Sequence, residues 1–155
     1  MSVAVDAAVV SAARSWIGTP YRHQSSAKGA GCDCLGLVRG IWRELIGPEP
    51  ETVPRYSRDW SDPRSSEVLW DMSLRHFVPV QGSMAVGQVL LFRMRSGAIA
   101  KHLGIVTGST DGGRFIHAYC GHGVIESALT RAWERRIVAR FAFPQAPIEK
   151  REMSE

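Results

Sequence analysis

The chain has 155 residues, 45% hydrophobic and 22% charged, a length and balance that suit one globular domain with a buried core and exclude the disordered and fibrous classes. No apolar run approaches the roughly 18 residues of a membrane-crossing helix, which excludes a membrane span. Nineteen Lys and Arg against fifteen Asp and Glu leave a net charge of +4, a mild excess that favours an acidic polymer without selecting one.

In chain order, Asp6 is expected to cap a first helix, along which Val9, Val10, Ala13, Trp16 and Ile17 recur at helical spacing until Gly18 and Pro20 stop it. Arg22 to Gly31 is rich in Ser and Gly and reads as a loop. Cys34, Val38, Ile41 and Leu45 then line one face of a second helix that ends at Gly47-Pro48. Prolines punctuate Gly47 to Pro63, predicting an irregular excursion anchored by Tyr56 and Trp60, with a short helix following near Ser65 to Phe77. After Gly82 the texture changes to short β-rich runs at Val89–Phe92, Leu103–Val106, Arg114–Tyr119, Val124–Glu126 and Ile137–Phe141. Helices first, then strands without helical crossovers, predict an α+β fold with the N-terminal helices packed on an antiparallel β-sheet of about five or six strands. One domain is expected over residues 1–144, followed by a polar tail, 145–155, that is either disordered or a docking arm.

Three cysteines, an odd number, argue against a disulfide framework and leave at least one thiol free. Met1 to Ala13 has neither a basic start nor a long apolar stretch, so it does not read as a secretory signal and synthesis in the cytoplasm is expected. Cys34 opens the second helix directly after Asp33. Amide groups at a helix N-terminus lower a thiol's pKa and can hold an oxyanion, so a reactive thiolate is expected there, alkylated well below pH 8. A lone cysteine is otherwise a small buried hydrophobe, and a partner base decides between the two.

His102 and His117 both fall in predicted strands, where a rigid sheet suits an imidazole pair in which one ring orients the other. His122 is the rival for the orienting role, because a register slip in that strand exchanges it with His117. His23 and His76 read as surface or loop residues, Cys120 as structural, and Cys32 as a loop-packing residue or a resolving thiol. Cys32 and Cys34 lack a second pair at zinc spacing, no phosphate-binding glycine fingerprint appears, and the basic residues are scattered. No metal, no cofactor and no nucleic-acid partner is therefore expected.

Four stretches together carry a resemblance: Gly18-Thr19-Pro20-Tyr21, Asp33-Cys34-Leu35-Gly36-Leu37-Val38, His102-Leu103-Gly104-Ile105 and Phe115-Ile116-His117-Ala118. In this order they resemble the motifs of the NlpC-type papain-like cysteine peptidases that cut bacterial cell-wall peptides. The likeness runs from about Trp16 to Phe143. Within that family, Gly31 to Gly40 with Tyr56 to Trp60 downstream looks most like members carried by phage tails and gene transfer agents. The resemblance implies Cys34 as nucleophile, His102 as general base and acid, and His117 as the residue orienting His102. Tyr21 matches the family's active-site tyrosine, as an oxyanion donor or a packed loop residue.

The implied substrate is a peptidoglycan stem peptide cut between D-glutamate, through its γ-carboxyl, and a diamino acid. Arg22, Lys28 and Lys101 are candidates to pair with its carboxylates. The narrower likeness implies tail-tip or baseplate hub proteins as partners and action in the periplasm of a target cell, with Gly47 to Pro63 and the tail as docking surfaces. The alternative is a structural or wall-binding tail component that does not cut, and a third reading is an acyltransferase using the same thioester. Two departures from the family pattern fall at Leu35, where a small Ser is usual, and at Arg22-His23-Gln24, where Trp-Gly-Gly is usual. Both are expected near the substrate cleft.

Overall fold

The computed structural model describes residues 3–56 and 67–144. Helix α1 (Val3–Ser15) is followed by a small hairpin, β1 (Ser26–Ala27) and β2 (Gly31–Cys32), and then by α2 (Cys34–Leu45) and α3 (Val68–His76). The remaining elements are β3 (Val78–Pro79), β4 (Val89–Arg93), β5 (Ala100–Gly108), β6 (Arg114–Tyr119), β7 (Gly123–Ala128), α4 (Arg131–Glu134) and β8 (Ile137–Ala142). Six strands form one antiparallel sheet in the order β3-β8-β4-β5-β6-β7. The α+β architecture expected from the sequence is therefore the one found. Asp6 proves not to be a cap: no breaker precedes it, the helix starts at Val3, and the carboxylate sits in the first turn, where the helix dipole favours it.

The main core lies between helices and sheet. Val9 and Ala13 from α1, Trp16 just past its end, and Leu37, Val38 and Ile41 from α2 meet Leu91, Leu103, Ile105 and Ile116 from the strands. The two helices approach closely because residue 40 is glycine. A Cβ there would stand 2.0 Å from Trp16 Cζ2, while Trp16 is held in place by its indole N–H, which donates to Glu44 at 2.9 Å.

The run Val89-Leu90-Leu91-Phe92 is buried on both faces of the sheet, which explains why it is continuously apolar rather than alternating. Its second face forms a smaller cluster of Leu90, Phe92, Val106, Phe115 and Leu129, partly covered by Trp133 from α4. Residues 47–56, the first part of the predicted excursion, carry no regular element but are folded against α2. The Trp42 indole donates to Pro48 O at 3.0 Å, and Arg39 reaches Glu49 at 2.7 Å. Trp60, the rest of that excursion, and the tail from Gln145 lie outside the described residues. No helix among the described residues is long and apolar enough to cross a membrane.

Candidate active site

Asp33 opens α2. Its backbone is extended (φ −102°, ψ −172°) and its Oδ1 accepts the Gly36 N–H at 2.7 Å, a side-chain cap that makes Cys34 the first helical residue. Glycine at 36 follows from the hairpin packed on this turn. A Cβ would lie 1.8 Å from the Ser25 carbonyl oxygen, and the Ser26 hydroxyl donates to Gly36 O at 2.6 Å. Tyr21 is strapped beside Cys32 by two backbone bonds of 3.0 Å, Cys32 N–H to Pro20 O and Arg22 N–H to Cys32 O. Tyr21, Cys34 and His102 thereby line one cleft.

The imidazoles come from neighbouring strands, His102 on β5 and His117 on β6. His102 Nε2 and His117 Nδ1 are 2.7 Å apart, with the rings edge to face at 5.0 Å and 73°. His102 Nδ1 is thus the ring nitrogen left for the cleft that His102 shares with Cys34. His117 uses its other nitrogen, Nε2, on Ser127 Oγ of β7 at 3.0 Å. Trp133 covers the pair, its ring centroid 5.7 Å from that of His102 and 5.1 Å from that of His117. His122 is elsewhere, stacked on Tyr119 at 5.3 Å, so the ring that meets His102 belongs to His117.

Burial governs the charges. The Cys34 thiol donates to the Lys101 carbonyl at 3.7 Å. Loss of solvent and then the Asp33 carboxylate push the thiol up to about 12, against the backbone N–H groups of Leu103 and Leu35, which favour the thiolate. The expectation of a lowered pKa is therefore corrected: the helix N-terminus is present, but burial beside a carboxylate outweighs it. Burial, assisted by the neighbouring His117 and Lys101, drives His102 down to about 3. His117 falls to about 4, through burial and the nearby His122. At neutral pH the site rests as a thiol beside two neutral imidazoles.

The departure at Arg22-His23-Gln24 shapes one wall of the cleft. Asp33 Oδ2 accepts the Gln24 N–H at 2.7 Å and the Tyr56 hydroxyl. His23 Nε2 donates to the Tyr56 carbonyl at 2.7 Å, and the Gln24 side chain donates to Pro54 O at 3.2 Å and accepts the Tyr56 N–H at 3.3 Å. These contacts hold Gln24 at φ 62°, a left-handed conformation unusual outside glycine. The pair that replaces two glycines thus pins residues 54–56 to the cleft.

His23 stands in a turn, in line with the loop reading, and lines the cleft, while His76 closes α3 paired with Glu51 at 2.7 Å. Cys120 is exposed and lines the cleft, so its expected structural role is not seen, whereas Cys32 is buried in β2. Leu35 faces away from the cleft into an apolar pocket with Val38, Leu69 and Phe77, so this second departure fills core space. Of the three candidate cations, Lys28 pairs with Glu44 at 2.8 Å, Arg22 packs over Gly31, and Lys101 lines the cleft. Among the described residues, no group of three or more His, Cys, Asp or Glu side chains is placed to hold a metal ion. Ser127 and Trp133 escaped the sequence reading. For Trp133 the signal was present, since a strand apolar on both faces requires cover on both.

A helix-borne thiol sharing a cleft with a sheet-borne imidazole pair is a papain-like arrangement. The sequence matches the NlpC/P60 family over residues 18–141, and the chain belongs to that family. Its members are in general cysteine peptidases acting on peptidoglycan. Among solved structures, an NlpC/P60 family protein from Bacillus cereus ATCC 10987 is similar at 20% identity and TM-score 0.61, over 89% of this chain and 40% of that one. A lipoprotein-like NLP/P60 family protein from Staphylococcus aureus subsp. aureus Mu50 is similar at 17% identity and TM-score 0.57, over 92% of this chain and 42% of that one. The protein Ly7917 is similar at 15% identity and TM-score 0.55, over 90% of this chain and 62% of that one. The chain thus spans about two fifths of the first two and less than two thirds of the third. At these identities the likeness shows the shared fold. No curated protein sequence matches the chain.

Proposed function

We propose that this protein is a cysteine endopeptidase that hydrolyses an amide bond in peptidoglycan stem peptides, between γ-linked D-glutamate and a diamino acid. The observation that carries this reading is the convergence of Cys34 and His102 on one cleft, with His102 backed by His117 at 2.7 Å. Cys34 Sγ attacks the carbonyl carbon as its proton passes to His102 Nδ1. The tetrahedral oxyanion is met by the Tyr21 hydroxyl and backbone amide hydrogen at the start of α2. Collapse breaks the C–N bond, and the amine departs with the proton held by His102. Water then gives a proton to His102 and attacks the thioester, which releases the acid and returns the proton to Cys34. Lys101 lines the cleft, which supports it as the cation that meets a substrate carboxylate.

The reading extends to where the enzyme works. The likeness of Gly31 to Gly40 and of Tyr56 to Trp60 to tail-borne members supports a component of a phage-like tail or gene transfer agent baseplate. It would be carried by hub proteins into the periplasm of a target cell. The test is mass spectrometry of muropeptides from Gram-negative peptidoglycan incubated with wild type and with Cys34→Ala. New stem-peptide fragments from wild type alone are expected and identify the scissile bond. Intact sacculi from both folded proteins, alone and in assembled particles, would overturn the peptidase reading in favour of a wall-binding component.

A further inference from the structure

We infer that Trp133 is a positioning residue: it seals the His102–His117 pair from water and so keeps His102 free to act as a base in mildly acid solution. The inference deepens the peptidase reading and rests on it for its consequence in turnover.

The strand order creates the lid. β7 forms one edge of the sheet while β8 lies between β3 and β4, so the chain that joins them has to cross β6, β5 and β4. Helix α4 lies on that connection. The Thr130 side chain caps it by accepting the Trp133 N–H, and Leu129 and Ile137, on either side, pack into the smaller cluster. The indole is thereby laid across three strands. Its ring centroid stands 5.3 Å from that of Phe92 on β4, 5.7 Å from that of His102 on β5, and 5.3 and 5.1 Å from those of Phe115 and His117 on β6. His102 is 7% exposed and His117 fully buried, whereas Trp133 itself is half-buried.

A neutral imidazole loses little when water is removed, but an imidazolium loses its hydration, so cover of this kind holds a ring unprotonated to lower pH. Lys101 on β5 acts on His102 in the same direction, and His122 beyond β6 so acts on His117, yet loss of solvent is the larger cause for both. The other polar neighbours are Cys34 on α2, Tyr119 on β6 and Ser127 on β7, and the Arg136 guanidinium stands over the indole at 5.4 Å. The indole carries no charge, so a change in titration on its removal reads its cover of the rings. The consequence is large at low pH. An imidazole with the ordinary value near 6.5 is only about 3% unprotonated at pH 5, whereas the sealed pair still has His102 able to take the Cys34 proton.

The test uses the full chain labelled with ¹⁵N-histidine and titrated by long-range ¹H–¹⁵N correlation. In wild type, His102 and His117 are expected to stay neutral down to pH 5. In Trp133→Ala both are expected to titrate between pH 5 and pH 6.5. The ratio of variant to wild-type kcat/KM on a synthetic γ-D-glutamyl-diamino acid stem peptide should then fall about tenfold between pH 7.5 and pH 5. Trp133→Leu keeps the packing on Phe92 and Phe115 but is too small to span both imidazoles. It should give a smaller rise in the same direction, and it carries the test if the alanine variant does not fold. Wild-type rings that titrate near 6.5, or wild-type titration in either folded variant, would overturn the inference. Absence of turnover in wild type would instead overturn the peptidase reading, and the titration would still decide the role of Trp133.

Discussion

The state of the Cys34 thiol is open to direct measurement by alkylation, and the structure and the helix-terminus argument expect opposite results. A thiol at about 12 is ionised at pH 7 to on the order of one part in 10⁵, whereas an ordinary cysteine near 8.5 is about 3% thiolate. Iodoacetamide reacts with the thiolate, so Cys34 in the unliganded protein should label on the order of a thousandfold more slowly than a free small thiol. Its rate should climb about tenfold per pH unit through pH 9 without a plateau. Peptide mapping by mass spectrometry separates the three cysteines. The exposed Cys120 should label first, and the buried Cys32, also pushed up to about 12, should stay unreacted alongside Cys34. Asp33→Asn removes the charge that opposes the thiolate and should raise the Cys34 rate at fixed pH. A rate that levels off below pH 7 would refute the reasoning, because it would mean a preformed thiolate–imidazolium pair.

Two further outcomes test the packing around the site. Both site histidines are depressed in the folded protein, to about 3 and about 4, so their contribution is complete above the unfolded value near 6.5 and is lost as pH falls toward the folded values. The unfolded chain then binds up to two more protons, and stability should drop by on the order of 4 kcal/mol between pH 7.5 and pH 5. A urea midpoint unchanged over that range would contradict their burial as neutral rings. Gly40→Ala offers a test by sign. Helix propensity alone favours alanine by about 1 kcal/mol, but its Cβ would stand 2.0 Å from the buried Trp16 ring. A net loss of about 1–3 kcal/mol is expected in urea denaturation, and a stabilised variant would show that the two helices have room to separate.

The sequence made legible those parts of the fold that repeat locally. Helix α2 is marked by its apolar face and by the Gly47-Pro48 beyond its end, and its observed limits, Cys34–Leu45, agree with that reading. Strands β4 to β8 are marked by β-rich runs divided by glycines or polar clusters. The hairpin β1–β2 and strand β3 have two residues each, too few for any period, and they exist because tertiary partners supply their hydrogen bonds. The site divides in the same way. Cys34, His102 and His117 stand in motifs, whereas Ser127 meets His117 only through the cross-strand register, which no local pattern encodes. The charge state of Cys34 was misjudged for a related reason: a helix N-terminus can be read from sequence, but the depth of burial beside Asp33 cannot.

A neutral resting pair is compatible with catalysis and bears on where the site's electrostatics act. Were the thiolate formed in advance, the amide groups of Leu35 and Leu103 would stabilise the ground state as well as the reaction, and part of their effect would cancel. In the proposed mechanism, with Cys34 and His102 neutral until attack, negative charge appears on the substrate oxygen, and positive charge on His102, only as the carbon–sulfur bond forms. In the same mechanism the backbone donors at the start of α2 and the His117 nitrogen 2.7 Å from His102 are already in place when that charge develops, so little reorganisation is required. The burial that holds the thiol and imidazoles uncharged at rest is, on this reading, what directs the polar groups of the cleft toward the transition state.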